Sequence, residues 1–121
     1  MFDDLLSPRD RVLLLDSAGL VLAGAYATAD GRDIAHEVSA ALSGVSDEAV
    51  RATRHLAIGA WRSIVFESEE ATVALSPVDA GSEGALLLVA TSPSTPLGAL
   101  HRTLSRCVTR AADWLGASSR S

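Results

Sequence analysis

The sequence predicts a small α/β domain: one five-stranded sheet with helices against both of its faces. Three observations carry this expectation. The runs Val12–Leu15 and Ala85–Ala90 are apolar at every position, so strands formed there need cover on both faces and belong in the middle of a sheet. Leu97, Leu100, Leu104, Val108, Ala111 and Leu115 recur at intervals of three and four, the stripe of an amphipathic helix lying on a core. The chain has 121 residues, which suits one domain.

Element by element, Phe2, Leu5 and Leu6 fall on one side of a single helical turn, cut short by Ser7-Pro8. Residues 1–10 are therefore an N-terminal stub, 11–116 the domain, and 117–121 a disordered tail. Arg11–Asp16 reads as a buried strand, Ser17-Ala18-Gly19 as a turn, and Leu20–Ala23 as the returning arm of a hairpin, with Gly24 marking a bulge. After the loop Ala29–Arg32, with Asp30 or Asp33 as cap, apolar positions 34, 38, 41, 42, 45, 49, 52 and 56 predict one long helix or two short ones, with one favoured because the stripe keeps phase across Gly44. Gly44-Val45-Ser46 is a weak point in it. Trp61–Glu67 alternates and is β-branched and aromatic, a third strand of edge character. Thr72–Val78 is a fourth strand, whose Pro77 restricts that portion to an edge or a strand end. A loop over 79–84 leads to the fifth strand, 85–90. Ser94 or Thr95 then caps the last helix, Pro96 stands near its first position, and Gly116 stops it.

Composition narrows the function. Apolar residues make up 48% of the chain and charged residues 21%, enough to build a core, with an apolar surplus that points to self-association. A net charge of −5 opposes general affinity for nucleic acid, whose phosphates call for a basic face. The single cysteine, Cys107, excludes an intrachain disulfide. No apolar run reaches the roughly 18 residues that span a bilayer, and the start, Met1-Phe2-Asp3-Asp4, is acidic where a secretory leader is basic. The expectation is a cytoplasmic protein without membrane insertion.

Chemistry-bearing motifs are missing. Gly19 and Gly24 have the gap that opens a phosphate loop, but Ala25-Tyr26 follows where Lys-Ser/Thr belongs. His36-Glu37 opens like a zinc-protease helix, yet Ala40 occupies the second histidine's place. His36, His55 and His101 are scattered over helices, Cys107 lies beside an apolar stripe, and Asp16 and Asp79 read as turn formers. No catalytic, metal-binding or cofactor-binding residue is expected, and the protein reads as a non-enzyme. The positions left for function are surfaces. The third strand carries Trp61, Ile64 and Phe66 without the Lys or Pro that guards an edge, which invites pairing with another chain. On the middle helix, Arg51, Arg54 and His55 share the outer side while 49, 52 and 56 point mainly inward.

Several strings, taken in order, resemble the roadblock/dynein-light-chain family. Val12–Ala23, reading as an apolar run, Asp, two residues, Gly and a second apolar run, is similar to that family's opening hairpin. Arg62–Glu67 with Thr72–Pro77 resembles its third and fourth strands, and Gly84–Ala90 with Pro96–Leu100 its fifth strand and last helix. The resemblance spans residues 11–115. It implies an α-β-β-α-β-β-β-α domain that pairs edge to edge through the third strand and the middle helix into a homodimer. It further implies, from the bacterial MglB-like branch, binding of a Ras-like small GTPase on the paired middle helices. In that branch hydrolysis is stimulated without an arginine finger. The sequence departs from the pattern in its short N-terminal stub and in the break at Gly44–Ser46. Two other readings stay open: a dimeric adaptor or scaffold with no effect on GTP hydrolysis, and a small-molecule sensor of profilin- or PAS-like shape. The sensor would need a polar-dotted cavity between sheet and helices.

Overall fold

The computed structural model describes residues 1–80 and 83–119. Five antiparallel strands, β1 (Arg11–Asp16), β2 (Val21–Ala25), β3 (Ile64–Glu67), β4 (Thr72–Ala80) and β5 (Glu83–Thr91), lie in the order β2-β1-β5-β4-β3. The all-apolar strands β5 and β1 sit inside the sheet, and β3 and β2 form its edges. Because side chains alternate across a strand, β1 and β5 serve two cores. Val12, Leu14, Leu87 and Val89 face one side, against α3 (Leu97–Ser119). Leu13, Leu15, Leu86 and Leu88 face the other, against α1 (Ala35–Leu42).

Helix α3 buries Leu100, Leu104, Cys107 and Ala111, a three-to-four repeat over three turns that needs no correction from the sheet beneath. Burial pushes the Cys107 thiol up to about 11, the behaviour of a small apolar residue. Leu97, expected in the stripe, is exposed because it stands at the first position, before α3 reaches the sheet. Gly116 does not stop this helix, which continues to Ser119; the rest of the expected tail, 120–121, lies outside the described residues. Phe2 is fully buried in the same layer, and a 3-10 turn over Asp3–Leu5 carries the stub across α3.

Four details differ from the sequence reading. The predicted long helix is two, α1 and α2 (Val45–Leu56), because Gly44 takes a left-handed conformation (φ 89°) between them. The apolar stripe keeps phase across this break, which hides it from periodicity. In the opening hairpin the irregularity falls at Leu22: Leu14 pairs with Ala23 but Leu15 with Val21. Gly24 serves another purpose, a positive φ (92°) and a backbone approach in which a Cβ would lie 2.1 Å from the Val12 carbonyl oxygen. Trp61 precedes β3, which starts only at Ile64. Finally, β4 and β5 extend into the expected loop, with Asp79 opposite Gly84 and Ala80 opposite Glu83; Gly81 and Ser82 lie outside the described residues.

Pro77 illustrates the sheet's uneven outline. It pairs with Leu86 on β5, while β3 reaches along β4 only as far as Leu75, opposite Ile64. The side of Pro77 that lacks an N–H therefore faces no neighbouring strand, the local edge its sequence calls for. One corner of the sheet is left open there.

Candidate functional site

Exposed apolar side chains occur on α2 and at the free edge strand β3. Helix α2 starts at the left-handed Gly44 and ends at Ala57, also left-handed (φ 54°), whose N–H donates to the Arg54 carbonyl, while the Ile58 N–H donates to that of Thr53 at 3.1 Å. Ala49 is its only buried residue. Positions 49, 53 and 56 follow at four and three, so Leu56 lies on the side of α2 that holds Ala49. Nevertheless Leu56 is 67% exposed, as are Ile58 at 66% and Val50 at 43%. The expectation that 52 and 56 point inward is thus corrected: both are exposed. On the edge strand β3, Phe66 is 50% exposed.

The residues expected at a self-pairing edge divide. Phe66 is available to a partner. Ile64 and Trp61 are half-buried and pack against this chain's own core beside Leu75 and Leu88. Sequence alternation puts 64 and 66 on one face of the strand but cannot tell that only the first of them packs against the core.

Arg51, Arg54 and His55 are all exposed, on the side of α2 away from Ala49. Arg51 forms an ion pair with Glu48 at 3.2 Å, one turn earlier. With both partners largely in solvent, this pair adds little stability, of order ~0.5 kcal/mol. The Arg54 side chain makes no ion pair or hydrogen bond among the described residues. The face is a mixed one, with Asp47 and Glu48 in the first turn and Arg54 and His55 in the last, an arrangement that also complements the helix dipole. The apolar rim next to it, Val50, Leu56 and Ile58, escapes the sequence reading. Its only signal there is the string Leu56–Trp61, nearly free of charge where a connecting loop is usually polar.

Chemistry elsewhere is sparse. Among the described residues no group of three or more His, Cys, Asp and Glu side chains is placed to hold a metal ion. No helix among them is long and apolar enough to cross a membrane. Asp16 is a turn residue: its Oδ1 accepts the Ala18 and Leu20 N–H at 2.9 and 2.8 Å. Asp33 does the same for Tyr26 and Ala35 at the start of α1, and these bonds hold its carboxyl below the usual range.

No protein-family model matches this sequence, and no curated protein sequence does. Solved structures do match. A roadblock/LC7 domain from Streptomyces avermitilis superposes with a TM-score of 0.74 at 23% identity, over 94% of this chain and 93% of that one. The chain has the roadblock fold. The gliding protein MglB of Thermus thermophilus shares this roadblock architecture, with a TM-score of 0.74 at 20% identity over 97% of this chain and 86% of that one. An MglB with a tetrameric arrangement does so at 0.75 and 18% identity, over 97% and 85%. At such identities the likeness is one of roadblock fold, with the middle helix divided at Gly44 in this chain.

Proposed function

We propose that this protein is a homodimeric regulator of a Ras-like small GTPase, acting as a binding partner that supplies no catalytic residue or cofactor of its own. One observation carries the reading: in a roadblock fold of the kind seen in MglB, the apolar side chains of Val50, Leu56, Ile58 and Phe66 are left uncovered along α2 and the β3 edge. A second copy meeting β3 edge to edge would cover Phe66 and lie under Leu56, burying apolar area at about 25 cal/mol per Å². It would bring the two Arg51, Arg54 and His55 sets onto one outer face. Cations there suit an acidic partner surface, mainly by steering its approach. Stimulation of hydrolysis would then come from shaping the GTPase's own catalytic parts, since Arg54 sits on a rigid helix with no long loop to extend it as a finger. The domain would comprise residues 11–116 with the stub 1–10 clasped to α3.

The test uses purified small GTPases from the same genome, with GTP turnover measured with and without this protein. Binding together with changed turnover supports the regulator. Binding with unchanged turnover converts the reading to a dimeric adaptor. The absence of binding by every GTPase tried overturns it.

A further inference from the structure

Beneath the α1–α2 elbow the structure contains a cleft of about 480 Å³, which shares Val50 with the exposed apolar rim of α2. It lies at the open corner of the sheet. Leu15 and Leu86 form its floor, Trp61 and Pro77 its side wall, and Leu42 and Val50 its roof. Its origin is the left-handed Gly44: the chain turns there, so neither α1 nor α2 lies flat over the ends of β1 and β5. The volume falls within the roughly 300–1,000 Å³ of small-molecule sites, and the walls have their composition, apolar with a few polar groups at the rim.

We infer that this cleft binds a small organic cation, a protonated amine carried on an apolar body of about ring size. The charge of the rim decides the class. Three carboxylates, Asp16, Asp47 and Asp79, border the cleft, and no Arg or His among the described residues does. The carboxylates of Asp47 and Asp79 make no side-chain hydrogen bond or ion pair among the described residues. Asp16 spends Oδ1 on the turn, and its Oδ2 has no hydrogen-bond partner among the described residues. An anionic ligand would meet three uncompensated negative charges. The three side chains belong to β1, α2 and β4 and do not converge as a metal set, so they favour a diffuse or mobile ammonium group over a bare divalent ion. The ligand's apolar part lies on Leu15, Leu86 and Trp61, and the ammonium reaches the rim. None of Arg51, Arg54 and His55 lines the cleft, and the site is compatible with pairing through β3, which runs alongside Thr72–Leu75 and stops short of Pro77.

Two probes of the same size and opposite charge, phenethylamine and 3-phenylpropanoate, test the assignment. Trp114 is exposed on α3, so the Trp114→Phe protein leaves Trp61 as the reporter in the wall of the cleft. Phenethylamine is expected to change Trp61 fluorescence saturably, in the millimolar range or tighter, with 3-phenylpropanoate silent. Asp16→Asn with Asp79→Asn keeps the Oδ1 acceptor of the turn and should weaken the amine by about tenfold or more. Ser43→Phe, at an exposed position on the rim, should fill the cleft and abolish the signal while circular dichroism stays unchanged. The inference is overturned if the amine does not saturate, if both probes bind alike, or if binding survives Ser43→Phe. It is equally overturned if diluting the dimer to monomer is what opens the cleft to the amine, since a second copy is then its occupant.

Discussion

The two faces of the sheet are covered by helices of similar apolar content and to very different effect. On one face, α3 runs unbroken from Leu97 to Ser119 and buries Leu100, Leu104, Cys107 and Ala111. On the other, α1 and α2 are separated at Gly44, and α2 buries Ala49 alone. A continuous helix keeps one stripe over the sheet for its whole length. A left-handed residue redirects the chain, so that the second helix carries its apolar positions past the sheet and into solvent. The first arrangement makes stability, and the second leaves a surface for something else to cover.

That contrast is easiest to break in the cores. Leu104 and Leu88 are both buried, one on α3 and one on β5 facing α1. Truncating either to Ala should cost about 2–5 kcal/mol in denaturant unfolding. Leu56→Ala, on the uncovered helix, should change the unfolding free energy of the protomer by less than about 0.5 kcal/mol. A large loss at Leu56 in monomeric protein would show that α2 is held as firmly as α3.

The next test asks whether the uncovered face is where copies meet. Phe66 is the sharper position, because Ile64, equally apolar in the sequence, is partly spent on this chain's own core. Phe66→Lys should place a charge that has to stay solvated in the middle of the contact, and sedimentation should then find monomer. A dimer that survives Phe66→Lys would move the interface off β3.

The sequence reveals these regions unequally, for physical reasons. Strands β1 and β5 are legible because burial on both faces leaves no polar position to confuse the pattern. Helix α3 is legible because its stripe and its burial coincide. The break at Gly44 is not, since Val38, Leu42, Val45 and Ala49 stay in helical phase while a single φ changes sign. Nor is the exposure of Leu56, whose neighbours along the helix predict an inward side chain. What decides it is how far β4 and β3 extend below, a tertiary fact that no local pattern holds. The β-propensity of Trp61 argues for a strand, but the sheet has no ladder to offer it before Ile64.

A smaller effect concerns the outer side of α2. Reversing Arg51 and Arg54 to Glu should weaken a cognate GTPase on the order of tenfold, chiefly in association rate and more at low salt. The dimer should persist, because neither side chain lies on the Ala49 side of the helix. Unchanged binding would remove these residues from the contact even with the fold and the dimer intact.

The smallest expected effect belongs to the covered face, where the stub is tied to α3. Arg110 donates from Nη1 and Nη2 to the two carboxylate oxygens of Asp4, at 2.6 and 2.9 Å, and from Nη1 to the Met1 carbonyl at 2.8 Å. Those hydrogen bonds hold the Asp4 carboxyl at about 2, down from 3.8. A carboxyl whose pKa is lowered on folding adds stability that is complete above its unfolded value and fades as pH falls through its folded one. The clasp should therefore contribute fully near neutrality and be lost between pH of about 4 and about 2. Because the pair is exposed, water and salt screen it, and the gain is small. Asp4→Asn keeps the shape and removes the charge. The variant should be slightly less stable than the parent at neutral pH, and the two should converge as the parent's Asp4 takes up its proton. A gap that stays constant across the acid range would assign the anchoring of the stub to the packing of Phe2 instead of the ion pair.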